Sequence, residues 1–296
     1  MTTFIYKLKI EATMLVNKIK FSKNNLNYNF YFPINGKKQT ESFKKMLLGY
    51  TYPVLENFHP KLILDVGANV GATSMFFAIN YPKAKIFSFE PTEMNFRWLQ
   101  KNTEGFKNIT RIKKGAYFKD TAAKIFLDSE SGGRNSIYKD WTKSDRFELV
   151  ELINLGKFLE SKNLEKKVDI LKIDTEGCEI DILRSINHHL KNVQVIYLEY
   201  HGKSDEERIL ELLSESHVVK QKKAAAAQLK KVTLELIGDL CLEDVIVRGK
   251  TILQASKRIT KTHIKELEKN SVETVLVQSD YLGELLFINK NLALTK

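Results

Sequence analysis

An α/β fold built on a doubly wound, mostly parallel sheet is what this sequence predicts, and three observations carry the prediction. A buried-strand pattern runs into a glycine-bracketed turn and a helix start at Leu62 to Gly71, LILDVGANVG. Strand and helix patterns then alternate from Lys61 to Lys222, which requires parallel neighbours joined by crossover helices. The polar residues with useful chemistry, Asp65, Glu90, Asp174, Glu176 and His201, each fall at or just past an apolar, strand-like run. That is where an open parallel sheet binds its ligands.

Taken in order, residues 1 to 60 form a basic and aromatic N-terminal cap, with nine lysines against three glutamates, a balance of +6. Phe4, Ile5, Leu8, Leu15 and Ile19 fall roughly on one helical face, and the Asn-rich run from Asn24 to Asn29 reads as a turn before a short strand, Asn29 to Phe32. The cap packs either over the ligand side of the sheet or along a sheet edge. Residues 61 to 222 form the core. Leu62 to Val66 is its first strand, and the helix after Gly71 stops at Tyr81-Pro82. Lys85 to Glu90 is the second strand, followed by a helix over about Glu93 to Asn102; the third, Ile109 to Lys113, is closed by Gly115-Ala116. A less regular excursion holds strands near Lys124 to Asp128 and Phe147 to Ile153, with the loop SGGRNS between them. VDILKID, Val168 to Asp174, is the fourth strand, with a helix over Glu179 to Ile186; Val193 to Tyr200 is the fifth, with a helix over about Asp205 to Leu213.

Composition bounds the function classes. The chain has 296 residues, 43% hydrophobic and 28% charged, enough for one large or two modest domains. No apolar run approaches the ~20 residues of a membrane span, and a secretory leader pattern is missing, so the protein is expected in the cytoplasm. Cys178 and Cys241 lack metal-type spacing and are expected reduced and buried. A net charge of +11 fits nucleic acid or an anionic surface as a partner, and equally a lysine-rich composition with no such partner.

The glycine turn reads Gly67-x-x-x-Gly71 around Asn69; it is neither a dinucleotide fingerprint nor a phosphate loop. Glycine there permits positive φ and close approach of backbone N–H groups to a ligand. No lysine or arginine accompanies the turn, and the carboxylate of Asp65 opens it. This suits a cofactor ending in an amino acid and a sulfonium, S-adenosylmethionine, better than a pyrophosphate. Glu90, 25 residues past Asp65 at the next strand tip, is placed to accept the hydrogen bonds of a ribose diol. Asp174 and Glu176, two apart, can face the same way at a strand end; either is a candidate base, or the pair can hold a divalent cation. His201 is a third candidate base. Lys172 and Cys178 flank the same turn and read as packing residues.

These blocks carry a resemblance. LILDVGANVG, FSFEPTEMNF, GGRNS, VDILKIDTEGCEIDIL and VIYLEYHGKSDEERILELL, in that order across about residues 60 to 215, resemble the FkbM family of S-adenosylmethionine-dependent methyltransferases. The resemblance implies a Rossmann-like class I methyltransferase fold and O-methylation, commonly of a hydroxyl on a sugar or polyketide-type product. It places Asp65, Gly67, Asn69, Gly71 and Glu90 at the cofactor, and Asp174, Glu176 and His201 around the acceptor. One departure stands out: where the family usually reads Thr-Leu-Asp before the fourth strand, this chain has Asn154-Leu155-Gly156.

The last third differs in texture. His217 to Lys222 suits the antiparallel edge of such a sheet and Gly283 to Asn289 its hairpin partner. Between them, after four alanines at 224 to 227, a small α+β accessory segment over about 224 to 280 is expected: strands at Lys231 to Ile237, Glu243 to Val247 and Glu273 to Gln278, and a helix capped by Thr260 or Thr262 and ending at Lys269. Gly249 to Glu284 is similar to a peripheral stretch of the bacterial RNA polymerase β subunit, within a resemblance spanning about 228 to 284; it implies no polymerase activity. The leading expectation is an O-methyltransferase acting on a hydroxyl of a carbohydrate, polysaccharide or other small molecule. The rivals are a nucleic-acid methyltransferase, which the charge favours, and a non-catalytic binding protein on a Rossmann-like core. Against the first rival, the fourth strand ends in Ile-Asp-Thr-Glu, without the Asp/Asn-Pro-Pro-aromatic turn that base amino-methylation uses.

Overall fold

The computed structural model describes residues 9–13, 16–23, 25–33, 37–128, 132–142, 144–223, 227–237, 240–241, 244–255, 257, 259–278 and 283–292. Phe4, Ile5, Leu8, Leu15, Asn24, Ser131, Glu243 and the first three alanines of the run lie outside them. Among the described residues no helix is long and apolar enough to cross a membrane.

The N-terminal region is strand where a helical face is expected. β1 (Lys9–Thr13), β2 (Val16–Lys23) and β3 (Leu26–Pro33) form a three-stranded antiparallel sheet. Period two wins over period 3.6 because Ile19 and Phe21, and Phe30 and Phe32, all at most 2% exposed, alternate with less buried neighbours. α1 (Lys37–Leu48) follows and adds Phe43 and Leu47 to these four.

The core then alternates as expected: β4 (Leu62–Val66), α2 (Ala72–Asn80), β5 (Lys85–Phe89), α3 (Glu93–Thr103) and β6 (Ile109–Ile112). Gly115-Ala116 does not end a strand but begins β7 (Gly115–Tyr117), which pairs with β9 (Phe147–Asn154) beside β8 (Thr121–Phe126) in a side sheet. α4 (Leu155–Ser161), β10 (Ile170–Ile173), α5 (Glu179–Ser185), β11 (Val195–Tyr200), α6 (Lys203–Leu213) and β12 (His217–Lys223) follow. The Asn154-Leu155-Gly156 departure is structural in this chain. Asn154 caps α4 by accepting from the Lys157 N–H at 2.9 Å, and a Cβ on Gly156 would lie 2.3 Å from the Ser185 carbonyl oxygen.

After β12 come β13 (Ala227–Lys231), β14 (Leu240–Cys241), β15 (Val245–Val247), β16 (Lys250–Leu253), α7 (Lys261–Lys269), capped by Thr260, and β17 (Thr274–Gln278). Leu236, Ile259, Ile264, Leu267, Val275 and Val277 give this segment a core cluster of its own. The stretch expected as one strand, Lys231 to Ile237, instead ends a strand and makes a 3₁₀ turn at Leu234–Leu236. β18 (Gly283–Asn289) returns to the main sheet and runs antiparallel between β11 and β12.

The seven-stranded sheet has the order β12-β18-β11-β10-β4-β5-β6, with β6, β5, β4, β10 and β11 parallel. Strand order reverses beside β4, so the crevice above β4 and β10 is the switch point of a doubly wound sheet. Both faces are buried, as a parallel sheet requires. Leu62, Leu64, Val66, Leu171, Ile173, Ile196 and Leu198 fill one face and Ile63, Ile86, Ile170, Val195 and Tyr197 the other; each such side chain contributes about 1.5–3 kcal/mol. The N-terminal sheet and α1 pack on α2 through Val70, Met75 and Ile79, and the Asn102 amide donates to the Tyr31 and Val70 carbonyls at 2.7 Å each. The cap therefore braces the helix that starts at the glycine turn.

A candidate active site at the switch point

The glycine turn forms because only glycine fits it. Gly67 and Gly71 have φ of +78° and +95°, and Asn69 between them has +50°. A Cβ on Gly67 would lie 1.8 Å from the Asp174 carbonyl oxygen, so the turns after β4 and β10 touch backbone to backbone. Four N–H groups of the turn are used internally. Those of Gly67 and Ala68 donate to the Phe89 carbonyl, that of Gly71 to Ala68, and that of Asn69 to Glu90 Oε2 at 3.0 Å. Glu90 Oε1 accepts from the Thr92 N–H and hydroxyl. Burial raises the Glu90 pKa, and these donors together with Lys172 partly offset it. Glu90 thus locks the loop after β5 to the loop after β4. One polar atom in the turn is left over: the side-chain oxygen of Asn69 is buried and has no hydrogen-bond partner among the described residues.

Beneath the turn runs a polar row that sequence reasoning missed. Ser88, Asp65, Lys172 and Tyr197 are register neighbours on β5, β4, β10 and β11. Asp65, 0% exposed, takes the Ser74 hydroxyl at 2.5 Å on Oδ2 and lies 3.2 Å from the Lys172 ammonium on Oδ1. Lys172, expected to be a packing residue, donates to the Gly67 carbonyl at 2.6 Å and lies 3.5 Å from Asp174. Burial works against its charge, but Asp174 and Asp65 outweigh that and hold its pKa above the usual value. The signal was available: Lys172 sits one full strand period before Asp174, so the two share a face. Asp65 reaches the crevice only through the turn it anchors.

The other side of the crevice is crowded with carboxyl groups. Asp174 accepts from the Tyr52 hydroxyl at 3.1 Å and from Glu199. Burial opposes its ionisation, yet Lys172 and these hydrogen bonds hold its pKa below the usual range. Burial first, and then the neighbouring charges of Asp174, Glu176 and Glu179, drive the Glu199 pKa well above the usual carboxylate range. Glu176, at φ +55°, points to His201, with Oε2 3.1 Å from Nε2. Glu179 Oε1 gathers the Thr175 N–H and hydroxyl and the Gly177 N–H, fixing the left-handed turn, while its Oε2 lies 3.9 Å from His201 Nδ1. The structure therefore groups Glu176 with His201 and Glu199, and not with Asp174 as expected. Asp174 faces Lys172 and Tyr52.

Residues 132–142, which hold most of the SGGRNS loop, fold over this turn. The Ser136 hydroxyl donates to the Glu176 carbonyl at 2.7 Å. The Trp141 ring stacks on buried His201 at 5.5 Å and 18°, with Tyr138 beside it at 4.9 Å. A Cβ on Gly177 would lie 2.7 Å from Trp141, so this glycine is what lets the aromatic wall approach. Trp141 and Tyr52 lie far in sequence from the strand ends they serve, and no local pattern announces them. Cys178, buried at the start of α5, is a packing residue as expected, its thiol pKa pushed up by burial.

Comparison with known proteins finds relatives in sequence. Relatives include methyltransferase 1 of Beauveria bassiana, 25% identical over 166 residues, which are 49% of this chain and 66% of that protein. Methyltransferase sdnD of Sordaria araneosa is 24% identical over 203 residues, 57% of this chain and 77% of that protein. The hexuronic acid methyltransferase AglP of Haloferax volcanii is 26% identical over 156 residues, 52% and 62% respectively. The chain thus spans about two thirds of the first and third of these relatives. The family described as methyltransferase FkbM domain matches residues 65–222, from the first carboxylate of the glycine turn through most of β12. On that match, over more than half its length, the chain belongs to the FkbM methyltransferase family.

Proposed function

We propose that this protein is an S-adenosylmethionine-dependent O-methyltransferase acting on a hydroxyl of a sugar, polysaccharide or other small-molecule acceptor. The observation that carries the reading is the buried, unpartnered oxygen of Asn69, in a glycine turn locked to Glu90 at the switch point. A buried acceptor without a donor costs about 1–3 kcal/mol, and a ligand carrying N–H or O–H groups removes that cost. The residues fit S-adenosylmethionine: Glu90 Oε2 keeps a lone pair for a ribose hydroxyl, Gly67 and Gly71 bracket a turn without Cβ obstruction on either side of Asn69, and Asp65 and Lys172 hold that turn from below. When bound, the cofactor supplies an electrophilic methyl group on a sulfonium. The protein's part is to hold the acceptor oxygen in line and to take its proton. Asp174, Glu176 and His201 line the acceptor side for that work. The flat wall of Trp141 and Tyr138 beside His201 suits the apolar face of a sugar ring, and a hexuronic acid methyltransferase among the relatives supports a carbohydrate acceptor. The segment over about 224 to 280, with its resemblance to a peripheral part of RNA polymerase β, is proposed as an accessory module. A cytoplasmic location accompanies this reading.

Calorimetry with S-adenosylmethionine and its demethylated product tests the proposal. Micromolar binding is expected, and Glu90→Ala weakens it by about 1–3 kcal/mol. Absence of binding to either compound overturns the reading. Asp174→Asn and His201→Ala are expected to spare cofactor binding and to lower turnover on a sugar acceptor.

A further inference from the structure

We propose that Glu176, Glu199 and His201 form a site for one divalent first-row metal ion, whose remaining positions anchor oxygens of the methyl acceptor. The inference deepens the acceptor side of the methyltransferase reading and rests on it only for the role of the ion.

Geometry comes first. One ligand atom from each residue can be chosen so that all three lie within 4.8 Å of one another. Ligands bonded at about 2.0–2.2 Å and at right angles stand roughly 2.8–3.1 Å apart. The His201 Nε2 to Glu176 Oε2 distance of 3.1 Å matches such an edge. Glu199 and His201 are two apart at the end of β11 and share a face. Glu176 comes from the turn after β10, which Ser136 and Glu179 hold in place. Glu199 thus sits on β11, and Glu176 and His201 lie just past the ends of β10 and β11. Glu179 Oε2, 3.9 Å from His201 Nδ1, faces the other ring nitrogen, and Trp141 fixes the ring plane.

Charge is the second, independent observation. Six carboxyl groups, Asp65, Asp174, Glu176, Glu179, Glu199 and Glu284, converge on these strand ends. The ammoniums set against them are Lys172, paired with Asp65 and Asp174, and Lys223, paired with Glu284, with Lys45 also acting on Glu284. A cation offsets such an excess of carboxyl groups over ammoniums. Two carboxylates with one imidazole suit manganese, iron, cobalt or zinc better than calcium or magnesium, which favour all-oxygen shells.

The test is a Mn²⁺ titration of the chelator-stripped full chain, with free Mn²⁺ read by electron paramagnetic resonance and no cofactor present. One ion per chain is expected. His201→Ala, Glu199→Gln and Glu176→Gln should each weaken binding ten-fold or more, while the exposed Glu268→Gln leaves it unchanged; thermal melts confirm that each variant is folded. Failure to bind Mn²⁺, Co²⁺ or Zn²⁺, or equal affinity in all three folded ligand variants, overturns the site. Cofactor calorimetry on the same stripped protein separates the two readings: S-adenosylmethionine binding without any metal binding sinks the ion alone, and metal binding without cofactor binding sinks the methyltransferase reading alone.

Discussion

The turn after β4 and the strand ends of β10 and β11 lie side by side on one sheet, yet opposite means hold them. In the first, backbone does the work: N–H groups find carbonyls, one carboxylate ties two loops, and a single side-chain oxygen is left over. In the second, side chains do the work, and charges of one sign are pressed together against few partners. The difference separates a rigid seat from a reactive one. Strained or crowded groups persist only where surrounding structure over-determines them, and here the neighbouring backbone turn supplies that support through the Gly67 to Asp174 contact and through Lys172.

Substitutions can break this division. The largest effect is expected from Gly67→Ala, which places a Cβ into the Asp174 carbonyl at positive φ; loss of more than about 5 kcal/mol of stability is expected in denaturant unfolding, and a change below about 1 kcal/mol would refute the close approach. Lys172→Met should follow at about 3–5 kcal/mol, because it strands the buried Asp65 and the partly buried Asp174. Asp65→Asn added to that variant should restore part of the loss, a coupling that a double-mutant cycle reads directly. Trp141→Ala belongs wholly to the second region. It should raise KM for the acceptor, leave the cofactor Kd unchanged and lower stability by about 1–2 kcal/mol; an equal rise in the cofactor Kd would show that the regions are not separable. The smallest effect is expected for Tyr52→Phe, about 1 kcal/mol, since Asp174 keeps Lys172 and Glu199 as partners.

The same contrast explains what could be read from the sequence. The glycine turn is local: Asp65, Gly67, Asn69 and Gly71 stand within seven residues, and Glu90 follows at the next strand end, so strand period and glycine chemistry suffice. The alternation of the core was legible for the same reason. At the second region Tyr52, Trp141 and Glu199 arrive from three separate stretches, and only tertiary packing brings them to Asp174 and His201. Lys172 was misjudged because a lysine in an apolar strand reads as exposed or packed, and its partner lies on another strand at a distance of over a hundred residues. At the N-terminus the strand expected at Asn29 to Phe32 lies within β3, whereas the strand character of Val16 to Lys23 is set by pairing with β3, which Ile19 and Phe21 alone do not announce.

The way β18 comes home has a consequence for how the chain closes on itself. β12 and β18 pair up to Lys223 opposite Glu284, and a few residues further on β13 and β17 pair from Ala227 opposite Gln278. The accessory segment thus stands where the tip of a hairpin would be, entering and leaving through adjacent strands. Once that segment has folded, its two ends already lie next to each other, so the long detour behaves in loop-closure terms like a short one. A hairpin tip is also among the places where inserted sequence disturbs a domain least. The sheet can consequently tolerate replacement of this segment by a turn or by an unrelated folded unit, provided its ends meet at strand spacing, about 4.8 Å.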